Sequence, residues 1–347
     1  MLNDNMEESI YYNAVAVAVA GDYGSIAKLK IKFGGWKRAY ERLKIAGVAK
    51  LDAEEEWKKL ERAGVRLILF DEEGFPRLLK EISGPPFGIY LKGTATRDDA
   101  PPFAVVGTRR ATPEGKSIAR RFARELAHAG FPIASGLAFG IDAAAHEGCL
   151  DGGGITIAVL AGGLDSIYPR SNEKLAGKIL ESGGAIISEY PLGSPPYPAR
   201  FIERNRIISG LSLGTLIIEA PDGSGSLATA RFAVEQNRDV FAVPGPIAHP
   251  NFFGSHALIR QGAELVTKPE DILEAYGVTP QDKRSAEENA ASPEEKLILE
   301  ALRKISTPAE VDKIIMMTRL EPHIVNRALG FLLVKNLVKE KGAGYTI

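Results

Sequence analysis

Residues 104–112 read AVVGTRRAT. Three apolar residues run into Gly107, the way a buried parallel strand turns toward a helix. The helix signal follows at once in TPEGKSIARRFARELAHAG, residues 112–130. There Thr112 sits at the N-cap position, Pro113 at the first helical position and Gly130 just past the end. Strand, turn and capped helix make the first half of a crossover unit. A dinucleotide-binding turn would continue with bare glycine backbone; this one continues with Thr108, Arg109 and Arg110.

The same alternation extends outward in both directions. Apolar runs recur at FAVVG, FPIAS, ITIAVL, AIISE, GTLIIEA and DVFAVPG, most of them separated by helix-like stretches. Strands alternating with helices require crossovers and a mostly parallel sheet covered on both faces. The runs are rich in Val, Ile and Ala without clean alternation, as burial on both faces demands. The expected fold is α/β, an extended Rossmann-like, mostly parallel sheet with helices on both faces, spanning 66–275. Residues 1–65 read as a small helical module, broken at Gly34-Gly35. Residues 276–293 are polar and poor in large apolar side chains, which predicts a linker. Residues 294–347 hold three helical patterns and two short strand-like runs around Gly342–Gly344, a winged-helix-like pattern.

The bulk numbers exclude several classes. The chain has 347 residues, 45% hydrophobic and 25% charged, which is ordinary for a globular protein. No apolar run approaches the ~20 residues needed to cross a bilayer. The start, MLNDNMEESIYYN, is acidic and unlike a secretory signal. A single cysteine, Cys149, excludes an internal disulfide framework and a zinc cluster. Together these predict a cytoplasmic protein that makes no membrane contact. Net charge is −1, so a polyanion partner would need positive charge concentrated locally.

In an open parallel sheet, ligands bind beyond the carboxyl ends of the strands. Four runs end there in loops with glycine or hydroxyls: GTRRAT after AVV, SGLAFGID at 135–142, AGGLDSIYPRSN at 161–172, and PDGSGSLATA at 221–230. Glycine lets backbone approach a ligand, successive amides form anion-binding concavities, and the next helix adds its positive end. Four such loops on one edge would build a continuous phosphate-friendly rim. Cations gather there too. Arg109 occupies the first turn, RFIERNRIISGLS brings Arg200, Arg204 and Arg206 within seven residues, and Arg170 and Lys174 flank the third loop. Guanidinium groups fork onto phosphate oxygens and stack on bases. Phe201, just before RNR, is either core or a base-stacking platform.

Catalytic patterns are weaker. No two of the five histidines stand at the helical zinc spacing, and neither a nucleophile elbow nor a P-loop is present. Asp142 and His146 are four apart; the simpler reading has Asp142 capping a helix and His146 packing locally. Glu219 ends a strand beside the Gly/Ser loop, where it could meet a ribose or a base, or orient an amide. These residues predict no catalytic residue, no metal and no cofactor.

The order of these motifs resembles the DNA-processing protein family DprA, also called Smf. AVVGTRRAT, SGLAFGIDAAAH, VLAGGLDSIYPRSNEKL, ISEYPLG, RFIERNRIISGLS, LIIEAPDGSGSLATARFAVEQNRDVFAVPG and GSHALIRQGAELV follow in that family's order. Ile202 stands where the family often has Pro, and His256 where Asn is common. The resemblance implies a Rossmann-like domain without a nucleotide cofactor, a homodimer, binding of single-stranded DNA, and its delivery to the RecA recombinase in natural transformation. Carried onto this chain, the DNA contacts it implies are Arg109, Lys174, Arg204 and Arg206, with backbone from Gly107, Gly136, Ser224, Gly225 and Ser226. Thr108, Phe201 and Asn205 complete the candidate set. The alternative is a Rossmann-like nucleoside-monophosphate phosphoribohydrolase, in which PDGSGSLATA would hold the phosphate and Arg109 and Glu219 would serve. In that group, however, the glutamate follows the glycines, whereas Glu219 precedes them.

Overall fold

Side chains of the run at 103–107 leave alternately toward two hydrophobic layers. Phe103 and Val105 pack with one set of helices, Ala104 and Val106 with another, and all four are buried. That two-sided burial is why the run reads as continuous apolar sequence rather than alternation. The structure is a computed structural model that describes residues 4–49, 51–94, 100–277, 292–305, 308–334, 338–341 and 344–346. The chain forms two compact units, residues 1–278 and 279–347.

The first unit is built on a nine-stranded sheet. Its strands are β1 (Arg66–Leu69), β2 (Gly88–Gly93), β3 (Phe103–Gly107), β4 (Ile133–Ser135), β5 (Thr156–Leu160), β6 (Ala185–Ser188), β7 (Gly214–Ile218), β8 (Asp239–Ala242) and β9 (Glu264–Leu265). Their order is β1-β2-β6-β5-β4-β3-β7-β8-β9. From β6 through β9 all neighbours are parallel, as expected. β2 has no counterpart among the expected strands; it runs antiparallel to both β1 and β6 and extends the sheet at one edge. The chain steps from β3 outward through β4 and β5 to β6, then returns to lay β7 on the other side of β3. This reversal is the switch point at which a doubly wound sheet opens a crevice.

On one face lie α6 (Pro113–His128), α7 (Ile141–Asp151) and α12 (Pro269–Ala275), packed through Phe122, Leu126, Ile141 and Ile272. On the other lie α5 (Arg77–Lys80), α9 (Pro198–Leu211) and α10 (Gly225–Glu235), packed through Leu79, Ile207, Leu211 and Ala230. The N-terminal residues form α1 (Asp4–Ala18), α2 (Tyr23–Phe33), α3 (Trp36–Ile45) and α4 (Ala53–Arg62). These helices do not stand apart. Tyr12, Trp36 and Leu60 share one cluster with Leu67 and Tyr90 of the sheet and with Ile179 of α8 (Glu173–Glu181). A buried hydrogen bond from the Tyr90 hydroxyl to Asn13 Oδ1, 3.0 Å, ties α1 to β2. α11 (Phe253–Arg260) completes the unit between β8 and β9.

The second unit holds α13 (Pro293–Arg303), α14 (Val311–Thr318), α15 (Pro322–Val334), β10 (Lys339–Lys341) and β11 (Gly344–Thr346). Ser292 opens α13 with a capping box to Glu295. β10 and β11 pair antiparallel, and Ala309, ahead of α14, bridges Tyr345 of β11. Ile298, Ile314, Val325 and Leu332 form its own core. Most of the expected linker, and Gly342 and Ala343 of the expected hairpin turn, lie outside the described residues. Among the described residues no helix is long and apolar enough to cross a membrane.

Candidate nucleic-acid interface

The carboxyl ends of β3 and β7 open into a crevice of about 650 Å³. Thr108, Arg109 and Arg110 after β3 form one wall; Pro221 to Ser226 after β7 form another; Phe201, Arg204 and Asn205 of α9 form a third. Tyr168 reaches in from the loop after β5, and Ala138 and Asp142 from the loop after β4. Thus all four strand-end loops expected to form the rim meet at one place. Lys174, exposed on the first turn of α8, is not among the residues lining it.

Local geometry at the floor leaves no freedom. Gly107 pairs with Ile218, and a Cβ on Gly107 would run into the Ile218 carbonyl oxygen and come 2.6 Å from Ile141 Cγ1. Thr108 N donates to Glu219 O at 2.8 Å, and the Thr108 hydroxyl accepts from Arg110 N at 3.2 Å. The turn is therefore pinned, and it presents Arg109 outward. The Arg109 guanidinium lies 4.6 Å above the Phe201 ring, and the Tyr168 ring is 5.7 Å from Phe201. Arg109 and Arg110 are exposed, and among the described residues neither forms an ion pair. Phe201 is half-buried, with Arg109 over its ring. Asp222 is the exposed acid on the rim.

The two arginines of RNR go elsewhere. Both lie on α9, where a two-residue spacing separates their directions by ~200°. Arg204 is buried; its Nη1 donates to Gly136 O at 2.8 Å and to Val159 O, and its Nε donates to Asn205 Oδ1 at 3.3 Å. Burial lowers its pKa to about 10, partly offset by the neighbouring Asp142. Gly136 is a glycine because a Cβ there would sit 2.5 Å from Arg204 Nη2 and 2.6 Å from Asp142 Oδ2. Arg206 Nη2 donates to both carboxylate oxygens of buried Glu189, at 2.6 Å each, and its guanidinium stacks 5.2 Å from the Tyr23 ring of α2. Asn205 Nδ2 donates to Gly225 O at 3.0 Å, joining α9 to the start of α10.

One acid fills the start of α6, and another braces the loop ahead of α7. Glu219, buried and at φ +50°, accepts from Thr112 N at 2.9 Å, from the Thr112 hydroxyl, and from Asn251 Nδ2 at 2.9 Å. Its carboxylate thus occupies the seat an anion would take at the N-terminus of α6. Asp142 accepts from Gly136 N at 3.1 Å and from Ala138 N at 3.4 Å, ahead of α7. The cap of α7 is Gly140 rather than Asp142, so Asp142 braces the preceding loop. Burial raises the Asp142 pKa, with Arg204 opposing the shift. Of α6, α7 and α10, α10 alone has no acid in its first turn: Ser224 caps it, accepting from Ser226 N at 3.4 Å, and the two serine hydroxyls are 2.8 Å apart. His146 packs locally, its Nδ1 2.6 Å from Thr156 Oγ1.

Sequence reasoning undersells Tyr168 and Glu219. Tyr168 lies in the third strand-end loop with no local signal of a role, and the fixed position of Glu219 depends on Asn251, which no local pattern connects to it.

A doubly wound sheet with a cation-bearing crevice at its switch point is a Rossmann-like domain. The chain belongs to the family described as DNA recombination-mediator protein A, whose model matches residues 66–277. That description names a mediator of recombination, not a catalyst. Protein Smf of Escherichia coli is 48% identical over 215 residues, which are 62% of this chain and 58% of that protein, so the match spans little more than half of that relative's length. The X-ray structure of DNA processing protein A from Streptococcus pneumoniae aligns at 36% identity with a TM-score of 0.60, covering 69% of this chain and 80% of that one. A Helicobacter pylori DNA processing protein A, solved to describe its single-stranded DNA binding mode, aligns at 31% identity with a TM-score of 0.55, covering 61% of this chain and 95% of that one.

Proposed function

We propose that this protein holds single-stranded DNA by its sugar–phosphate backbone in the β3–β7 crevice and passes it to a RecA-type recombinase during uptake of transforming DNA, working as a homodimer in the cytoplasm. The observation that carries this reading is Arg109: exposed, without an ion-pair partner among the described residues, and stacked on Phe201 at the mouth of the crevice. A cation beside an aromatic face grips phosphate and base together without selecting the base. Thr108 stands beside it on the turn set by Gly107, and Ser224, Gly225 and Ser226 on the facing wall supply hydroxyls and the Gly225 amide. Lys174 extends the grip beyond the crevice. Arg204, Asn205 and Gly136 shape the floor, and Arg206 fixes the α9 wall from behind.

The phosphoribohydrolase reading has less support. Its acid would have to be Glu219, whose carboxylate is already held by Thr112 and Asn251. The test is fluorescence anisotropy with oligothymidine across a salt series. Arg109→Ala is expected to weaken binding of every sequence alike and to lower the log–log salt slope by about 0.7, the share of one phosphate on a single strand. An unchanged affinity and slope would sink the proposal, as would release of free base from nucleoside monophosphates.

A further inference from the structure

The most one-sided charge outside the crevice lies on α2 and α3. Residues 23–49 carry seven lysines and arginines against Glu41 alone, in a chain whose net charge is −1. Lys37 is tied to Glu7 at 2.6 Å. Among the described residues none of the other six forms an ion pair. Lys28 and Lys32 on α2, and Arg38 and Arg42 on α3, are exposed and stand at i, i+4. Like charges at that spacing destabilise a helix. Asp22 bears on Lys28 and the Phe33 ring lies under Lys32, but no ion pair among the described residues offsets the repulsion within either helix.

We propose that these cations bind the sugar–phosphate backbone of the same strand, beyond the part seated in the crevice. The proposal rests on the crevice reading for the identity of the strand. Three observations support it. The start of α2 packs against the helix that forms a crevice wall: Tyr23 lies under Arg206, and Arg200 of α9 donates to Ala20 O just before α2. Backbone amides at the start of α3 are already taken, with Trp36 N donating to Glu8 Oε2 at 2.8 Å, so binding falls to the side chains. Most of the apolar face of α3 is spent in the core through Trp36, Ala39 and Tyr40, leaving Ile45 exposed on α3 and Ile31 exposed on α2. An interfacial membrane helix needs that face free, and a polyanion does not.

The experiment uses the full chain with Lys28→Gln, Lys32→Gln, Arg38→Gln and Arg42→Gln combined, since glutamine keeps the helix propensity of lysine and arginine. Lys58→Gln with Lys59→Gln, on α4 where each lysine already pairs with a glutamate, is a two-charge control for cations lost outside α2 and α3. Anisotropy is read with oligothymidines of about 6 nucleotides, within the usual single-strand site sizes, and about 30, well beyond them, and with vesicles of anionic phospholipid. The expected result is unchanged binding of the short strand and weaker binding of the long one. The salt slope for the long strand should drop by about 0.7 for each phosphate no longer neutralised, with no such drop in the control. Unchanged binding of the long strand overturns the proposal. So does equal weakening at both lengths, or an effect confined to the vesicles. Arg109→Ala, run in parallel, judges the crevice separately: it is expected to lower affinity at both lengths, and if it does not, the crevice reading fails whatever the glutamine variant does.

Discussion

At the scale of single residues, His146 shows how burial sets chemistry. Its ring is buried in α7 against β5. Thr156 Oγ1 donates to Ile133 O at 2.7 Å, so its lone pair receives the proton of His146 Nδ1, while Nε2 has no hydrogen-bond partner in the described structure. Protonating Nε2 would bury an unpartnered donor near the Arg204 charge, and the His146 pKa falls accordingly to about 3. The native value lies below the unfolded one, so the unfolded chain binds more protons between them. Stability is then complete above about pH 6.5 and declines as pH falls toward 3, by up to about 1.4 kcal/mol per unit for this group. His146→Asn keeps a donor for Thr156 and removes the titration. Urea unfolding at pH 7 and pH 5 should show a smaller loss in the variant than in the parent.

At the scale of elements, the partly buried pair Arg206–Glu189 joins α9 to the end of β6, with Tyr23 of α2 stacked on it. Burial raises the Glu189 pKa, and Arg206 opposes that shift. Glu189→Ala would strand the guanidinium and is expected to cost about 3–5 kcal/mol in denaturant unfolding. The parallel strands are legible because two-sided burial writes itself as unbroken apolar runs, and α6 because its cap, its proline and its closing glycine are local. β2 is not, since GIYLKG is short and its pairing with β1 and β6 depends on sequence far from it. The candidate site divides in the same way. Arg109 can be read from its turn. The inward course of Arg204 and Arg206 cannot, because the groups that receive them, Val159 O, Gly136 O and Glu189, lie elsewhere in the chain. Two cations two residues apart look alike in sequence whether they face water or carbonyl oxygens.

At the scale of the whole molecule, the division into units 1–278 and 279–347 separates the crevice from the C-terminal helices. α15 presents Arg327 as its exposed cation among the described residues, a thin charge for gripping a duplex groove. A chain ending at residue 278 is expected to retain most of its single-strand affinity in the same anisotropy assay; a large loss would assign DNA binding to the second unit. The carboxylate of Glu219 carries a consequence of its own. Cells hold large pools of ATP and its kin, each an eager guest for an empty Rossmann helix end. Here the berth at α6 is already taken by the Glu219 carboxylate, held by Thr112 and Asn251. A phosphate monomer thus finds no open berth at that helix, while Arg109 at the mouth stays exposed.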